Sequence, residues 1–208
     1  MEALLEAIER ARSNDDPYLE DMHVAGETLE PGTDLGFFEF HGIELEQCSL
    51  VGINLARASF YDCTLVGCDL SNANLTEAFL TRTRLVACKL TGASLNKAIL
   101  RSTRLISCQC RYLNAGEAKL EGAVLEDCDL RESFLSELRL QKRSRLERCS
   151  LVRADLFRTM LKGVDLSTCD ITGIAVSDTR AELRGALISV EQAVDVAALL
   201  GVRIVEYS

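Results

Sequence analysis

The cysteines have the widest chemistry open to them in this chain, and seven of the nine fall on one spacing. Cys48, Cys68, Cys88, Cys108 and Cys128 are 20 residues apart, Cys149 follows after 21 and Cys169 after 20. Thiols brought above one another by such a repeat could bind a metal or oxidise to a disulfide ladder. Their number is odd, no CxxC occurs, and Cys108 and Cys110 form a CxC that the repeat turns inward. The spacing suits a packing ladder, so reduced thiols filling small buried sites are the expectation, with the metal or disulfide ladder as the alternative. The only histidines, His23 and His41, lie in an irregular leading segment, and there is neither a glycine-rich phosphate loop nor an HExxH. No catalytic residue, cofactor or metal site is expected, and the chain does not read as an enzyme.

One further cluster has character. "LRLQKRSRLERC" sets Arg139, Lys142, Arg143, Arg145 and Arg148 against a single acid, Glu147. It reads either as a solvated bulge or as a contact point. In the second reading Lys142, Arg143, Arg145 and Arg148 would meet an acidic partner surface, or anchor DNA beside a partner enzyme.

The element that must position all of these is a five-residue repeat. Leu or Phe recurs every five residues from Leu35 to Leu140, with Cys110 and Ala115 as the exceptions. Arg145 breaks the pattern, which resumes one residue later at Leu146 and runs to Val176. Five is neither the helical period of 3.6 nor the strand period of 2, so it marks a longer architecture. The position two before each leucine is small, as in Ala73, Ala78, Cys88 and Ala93. A large and a small inward residue two apart fit a pleat, leaving three positions of five for water. Four units make 20 residues, so the cysteines stack on one side of a four-sided coil. The extra residue before Leu146 keeps register only by bulging from the wall. In "CQCRYLNAGEA", Leu113 and Ala115 exchange the usual sizes, which conserves volume and reads as repacking with a local kink.

"CDLSNANLTEAFL" and "RADLFRTMLKGVDLSTCDI" resemble the A(D/N)LXX consensus of the pentapeptide-repeat proteins. The resemblance implies an all-β solenoid, a right-handed quadrilateral β-helix. Seven coils at about 4.8 Å would give a rod of roughly 34 Å.

The chain divides into three on this reading. Residues 1–34 form an acidic N-terminal helix and cap segment, 35–178 the β-helix, and 179–208 a C-terminal helix and strand. Leu4, Leu5, Ile8 and Ala11 have helical spacing, either as a cap over the first coil or as a partner-binding helix; "EPGTD" reads as a turn before the first coil. Net charge is −9, made of −11 in residues 1–47 (13 acids, 2 bases) and +2 in the rest (19 acids, 21 bases). Mean hydropathy is +0.09 and no apolar run approaches the roughly 20 residues of a membrane span. No membrane association is expected, and the charged N-terminus, lacking an apolar signal region, leads to the expectation of a cytoplasmic protein.

At the C-terminus Ser189 and Gln192 form a capping box, and Gly201 is placed as a left-handed C-terminal cap. Val190, Ala193, Val194, Ala197 and Leu200 make an apolar stripe, and "VRIVEY" reads as a short strand. Gly185, Ala186, Gln192, Ala193, Leu199, Leu200, Gly201 and Val202 resemble the tail of the quinolone-resistance (Qnr/Mfp-type) pentapeptide-repeat proteins. That resemblance implies a homodimer through Val190, Val194, Ala197 and Leu200. It also implies a rod that mimics DNA, binds DNA gyrase or topoisomerase IV in place of DNA, and does not itself bind DNA. Such a protein would modulate the topoisomerase or protect it against quinolones and other poisons. The balanced charge of the wall departs from that pattern, and the single inserted residue places the chain nearer the loopless members. The alternative is a scaffold or interaction module unrelated to topoisomerase, because this repeat serves many roles.

Overall fold

A computed structural model describes residues 3–141, 143–203 and 205. The inward residues of the five-residue period line one continuous core, and the chain winds around them as a parallel β-solenoid. One wall is a seven-stranded sheet of β1 (Tyr18–Glu20), β3 (Glu39–His41), β5 (Ser59–Tyr61), β7 (Phe79–Thr81), β9 (Ile99–Arg101), β11 (Lys119–Glu121) and β13 (Arg139–Leu140), stacked in that order. The adjoining wall stacks β2 (His23–Ala25), β4 (Glu44–Glu46), β6 (Thr64–Val66), β8 (Arg84–Val86), β10 (Arg104–Ile106), β12 (Val124–Glu126) and β14 (Arg145–Glu147). All pairings are parallel and join residues one coil apart, such as Leu65 with Leu85 and Leu80 with Leu100. The other two walls are held by single bridges, through the rows Ser49–Asp69–Lys89–Gln109–Asp129 and Asp34–Asn54–Asn74–Ser94–Asn114.

Five residues make one side because a left-handed residue turns nearly every corner, the corner at Thr168 being an exception. Asn72 (φ 57°), Arg82 (φ 53°) and Lys97 (φ 58°) occupy such corners, as does Gly92 (φ 68°). A left-handed L-residue costs roughly 1–2 kcal/mol. The coil-to-coil hydrogen bonds that each corner makes possible offset it, as from Asn72 N–H to Thr91 O at 2.9 Å and from Leu75 N–H to Ser94 O at 2.7 Å. Side chains extend the same ladder. The Asn74 amide donates to Asn54 Oδ1 (2.9 Å) and the Asn54 amide to Asp34 Oδ1 (2.7 Å), while each Oδ1 also accepts the N–H two residues on.

The solenoid starts earlier than the sequence suggested. β1 and β2 pair with β3 and β4, so the first coil includes Leu19, Val24 and Leu29 within the segment assigned to a cap. "EPGTD" is a corner of that coil carrying one extra residue, since Thr28 pairs with Ser49 at a separation of 21 and Asp34 with Asn54 at 20. The helix α1 (Leu4–Ser13) does cap the first coil. It buries Leu4, Ala7, Ile8 and Ala11 and leaves Leu5 half-exposed. The Glu27 carboxylate accepts the Leu4 N–H at 3.0 Å, satisfying an orphan donor at the helix start. Leu113 and Ala115 are both buried, and the ladder runs through them without a break: Asn114 N–H meets Ala93 O at 2.9 Å and Ala115 N–H meets Phe134 O at 2.8 Å.

At the far end the chain folds back along the last coil. A 3-10 turn (Ala181–Leu183) is followed by Leu187, whose N–H donates to Val164 O at 2.9 Å. Helix α2 (Ala193–Leu199) then lies over the end of the core, turning Val196 and Leu199 inward. Of the expected terminal strand, Val202, Arg203 and Val205 carry no strand pairing; Ile204, Glu206 and Tyr207 lie outside the described residues.

Candidate partner-binding surfaces

The cysteines are inward. All nine are free and buried. The seven on the 20-residue spacing share one task. Cys88 Sγ donates to Leu65 O one coil back (3.3 Å), and Cys108 Sγ does the same to Leu85 O (3.4 Å). Thr83 and Thr103 hold equivalent positions on another side and donate their hydroxyls to Phe60 O (3.2 Å) and Leu80 O (2.8 Å). A small side chain with one donor is what the site takes. Burial pushes the Cys63 thiol up to about 11. Cys88 is lowered by Cys108 and raised by Cys68 and by burial, ending at about 12. Thiols held this far above the ordinary range are poor nucleophiles at neutral pH.

The outer wall divides by charge along its length. Around the first two coils Glu20, Asp21, Glu30, Glu39, Glu44 and Glu46 are exposed. Beyond them, opposite charges meet one coil apart: Arg82 with Asp62 (2.6 Å), Arg57 with Glu77 (2.8 Å), Arg101 with Glu121 (2.7 Å) and Arg111 with Glu132 (2.7 Å). Each exposed pair contributes little to stability, but together they cancel the field of the middle of the rod.

The basic cluster is only partly available. Arg148 is spent on Asp127 (2.7 Å) and Glu126, and Arg145 meets Glu147 at 3.2 Å. Arg143 is exposed, in the left-handed region (φ 72°), with no ionic partner among the described residues; Lys142 lies outside them. The inserted residue falls in this corner. Ser144 plugs its inner side, its hydroxyl donating to Leu120 O (2.7 Å) and accepting the Gly122 N–H (3.1 Å). Its outer side opens onto a cleft of about 630 Å³, bounded across the gap by Lys162, Gly163 and Asp165.

The C-terminal stripe faces out. Val190 is 85 % exposed, Val194 54 % and Leu200 59 %, while Ala197 is half-buried. The capping box forms as read: Gln192 Oε1 accepts the Ser189 N–H (2.8 Å) and Ser189 Oγ accepts the Gln192 N–H (3.3 Å). Gly201 (φ 74°) ends the helix in a Schellman motif, with Val202 N–H to Ala197 O (3.0 Å) and Gly201 N–H to Ala198 O (2.9 Å). The sequence did not reveal the second role of Gln192. Its Nε2 donates to Leu166 O and Cys169 O, bolting the helix to the last coil and fixing which face is presented.

The repeat is recognised in comparison with known families. Residues 78–156 match the pentapeptide repeat region, and residues 39–76 and 142–173 match pentapeptide repeats. A comparison with curated proteins finds no match. Among solved structures, the chain is similar to HetL, a pentapeptide repeat protein involved in heterocyst differentiation regulation from the cyanobacterium Nostoc sp. Strain PCC 7120. The identity is 23 %, over 90 % of this chain and 98 % of that one, with a TM-score of 0.33. It is similar to full-length QnrB1, a plasmid-mediated fluoroquinolone resistance protein, at 16 % identity over 89 % and 100 % of the two chains (TM-score 0.33). A pentapeptide repeat protein of the Arabidopsis thaliana thylakoid lumen is 21 % identical over 64 % and 84 % (TM-score 0.32). Likenesses at this level carry no argument about function. The matched repeats and the four-sided coil with one inward leucine per side agree, and the chain belongs to the pentapeptide-repeat family.

Proposed function

We propose that this protein is a non-enzymatic binder of a type II DNA topoisomerase, DNA gyrase or topoisomerase IV. It acts as a homodimer that competes with DNA and so modulates the enzyme or protects it from quinolones and other poisons. The observation that carries the reading is the C-terminal helix. It is bolted to the last coil by Gln192 and presents Val190, Val194 and Leu200 to solvent, a stripe larger than a cap requires. A two-fold axis there would bury the stripe against itself and set two rods end to end. The exposed acids around Glu39 and Glu44 would then lie at both outer tips, where they could meet the cationic surface that normally holds DNA.

A scaffold or interaction module is the second reading, favoured by the paired charges along the middle of the rod, which give no continuous acidic face. Gyrase supercoiling with the purified protein separates the two. Inhibition, or relief of quinolone inhibition, supports the first. A gyrase left untouched at about tens of micromolar, a concentration at which even a weak contact of this kind registers, favours the second.

A further inference from the structure

The cleft beside the insertion is a place where the solenoid's hydrogen-bond ladder is interrupted. Elsewhere on these two walls each strand pairs in parallel with the strand of the next coil. After β13 and β14 this stops. Among the described residues, no main-chain hydrogen bond joins either strand to residues 160–167. The N–H groups of Leu140 and Leu146 on one lip, and of Met160, Lys162 and Asp165 on the other, have no main-chain partner across the gap among the described residues. The opposite lip is held from its far side, by Leu161 N–H to Glu182 O (2.9 Å), Gly163 N–H to Gly185 O (2.7 Å) and Leu166 N–H to Leu187 O (2.8 Å).

Two threonines mark where the ladder closes again. Thr159 Oγ1 accepts the Leu138 N–H (2.9 Å), and Thr168 Oγ1 accepts the Arg148 N–H (3.0 Å). Between them the gap holds about 630 Å³ around the corner and a further 350 Å³ along β13, with Leu140 lining both. Unpaired strand groups facing a gap are a template for another strand.

The charge of the lining selects what that strand would be. Arg139, Arg143, Arg145, Arg148, Arg158 and Lys162 face it against Glu137, Glu147 and Asp165, six cations to three carboxylates, for a net +3. Arg145, Arg148 and Arg158 are already paired within the wall. Arg139, Arg143 and Lys162 are exposed and have no ionic partner among the described residues.

We propose that this cleft binds an extended, acidic segment of a partner protein by strand addition. The main chain of that segment would pair with the open edge of β13 and β14, and its carboxylates would meet Arg139, Arg143 and Lys162. The proposal is independent of the topoisomerase reading, since a protein inert toward gyrase could still bind such a segment.

The test is fluorescence anisotropy with a labelled, alternating Glu–Val peptide. Three competitors accompany it: the matching Lys–Val peptide, the Glu–Val peptide N-methylated at every second residue, and a short DNA duplex. The Glu–Val peptide should bind, and neither peptide competitor should displace it. The double variant Arg143→Glu with Lys162→Glu should weaken binding about tenfold or more while its melting stays unchanged. Hydrogen exchange at Leu140, Leu146 and residues 160–165 should slow in the complex. Equal binding of the N-methylated peptide would reduce the site to ion pairing and overturn strand addition. Preference for the duplex, or no binding of the Glu–Val peptide to the wild-type chain, would overturn the proposal outright.

Discussion

Gln192 Nε2 lies 2.8 Å from the carbonyl oxygen of Leu166, inside the end of the solenoid and 26 residues away in sequence. Where the last coil ends, Cys169 O receives no main-chain donor among the described residues and Leu166 O only the Cys169 N–H, so a further donor is needed. One amide supplies it and at the same time fixes helix α2 over the core. Gln192→Ala should leave Leu166 O and Cys169 O without that donor and cost about 1–3 kcal/mol. The loss should be local. Hydrogen exchange should rise in residues 185–200, with the coils around Leu80 and Leu100 still protected. Uniformly raised exchange would mean that the end and the middle open together.

Leu95 is 3 % exposed in the centre of the stack. Leu95→Asp places a carboxylate among leucines with no partner, which costs several kcal/mol and should abolish cooperative melting. The control is Lys97→Gln at an exposed corner, where the pair with Glu117 is 3.8 Å long and contributes little. Asn96 would be a poor control, although the five-residue pattern faces it outward. Its amide donates to Gly116 O at 3.0 Å, tying one coil to the next.

The thiol ladder predicts a graded response. Cys88→Ala removes the S–H donor to Leu65 O and leaves a small void, costing about 1–2 kcal/mol, whereas Cys88→Thr should cost less because Thr83 and Thr103 show the hydroxyl serving the same position. The pH response has a definite sign. Cys88 is raised from 9.0 to about 12 by folding, so the folded state favours the protonated thiol. That contribution is complete below pH 9 and is lost as pH climbs from there toward 12. Thermal melts across this range should fall, and Cys88→Thr should flatten the fall.

Glu182 gives the opposite slope. It is buried, and burial by itself would raise its carboxyl. Hydrogen bonds from the main chain and from Ser177 outweigh this and hold it below the ordinary value. Among them are the Arg158 N–H at 2.8 Å and the Ser177 hydroxyl at 2.8 Å. Its contribution is present above the unfolded carboxylate range and is lost as pH falls through the depressed folded value. Glu182→Gln should therefore destabilise the chain at neutral pH and make little difference in strong acid. An equal loss at both pH values would assign Glu182 to packing alone.

The sequence showed the coil wherever the five-residue phase was unbroken, because one leucine per side is all that the fold asks of the core. The first coil was hidden by one residue. Leu19, Val24 and Leu29 keep the same period, but the extra residue between Glu30 and Thr33 shifts them out of step with Leu35. The cation cluster at 139–148 was legible as composition. That Arg148 is spent on Asp127 while Lys162 stands across a gap depends on neighbours one coil away, whereas the partner of Arg145, Glu147, lies within the same stretch. The apolar stripe was legible from its spacing, yet its outward direction follows from Gln192, whose partners no local pattern names.

That direction sets the last prediction. Val194 is 54 % exposed on the side of α2 away from Val196 and Leu199, which pack on the coil. Val194→Arg should therefore leave the monomer folded, with an unchanged circular dichroism spectrum and melt. If two copies meet through this stripe, each brings an arginine close to the two-fold axis, where like charges in a desolvated contact repel strongly. Light scattering should then give the mass of one chain where the wild type gives two. Supercoiling measured in parallel should show most of the inhibition gone, because a single rod binds without the effective concentration that its partner supplies. A wild-type chain that is already monomeric would remove the dimer from the mechanism. A monomeric variant that still inhibits fully would place the topoisomerase contact on one rod alone, with the exposed acids of its first coils as the next residues to change.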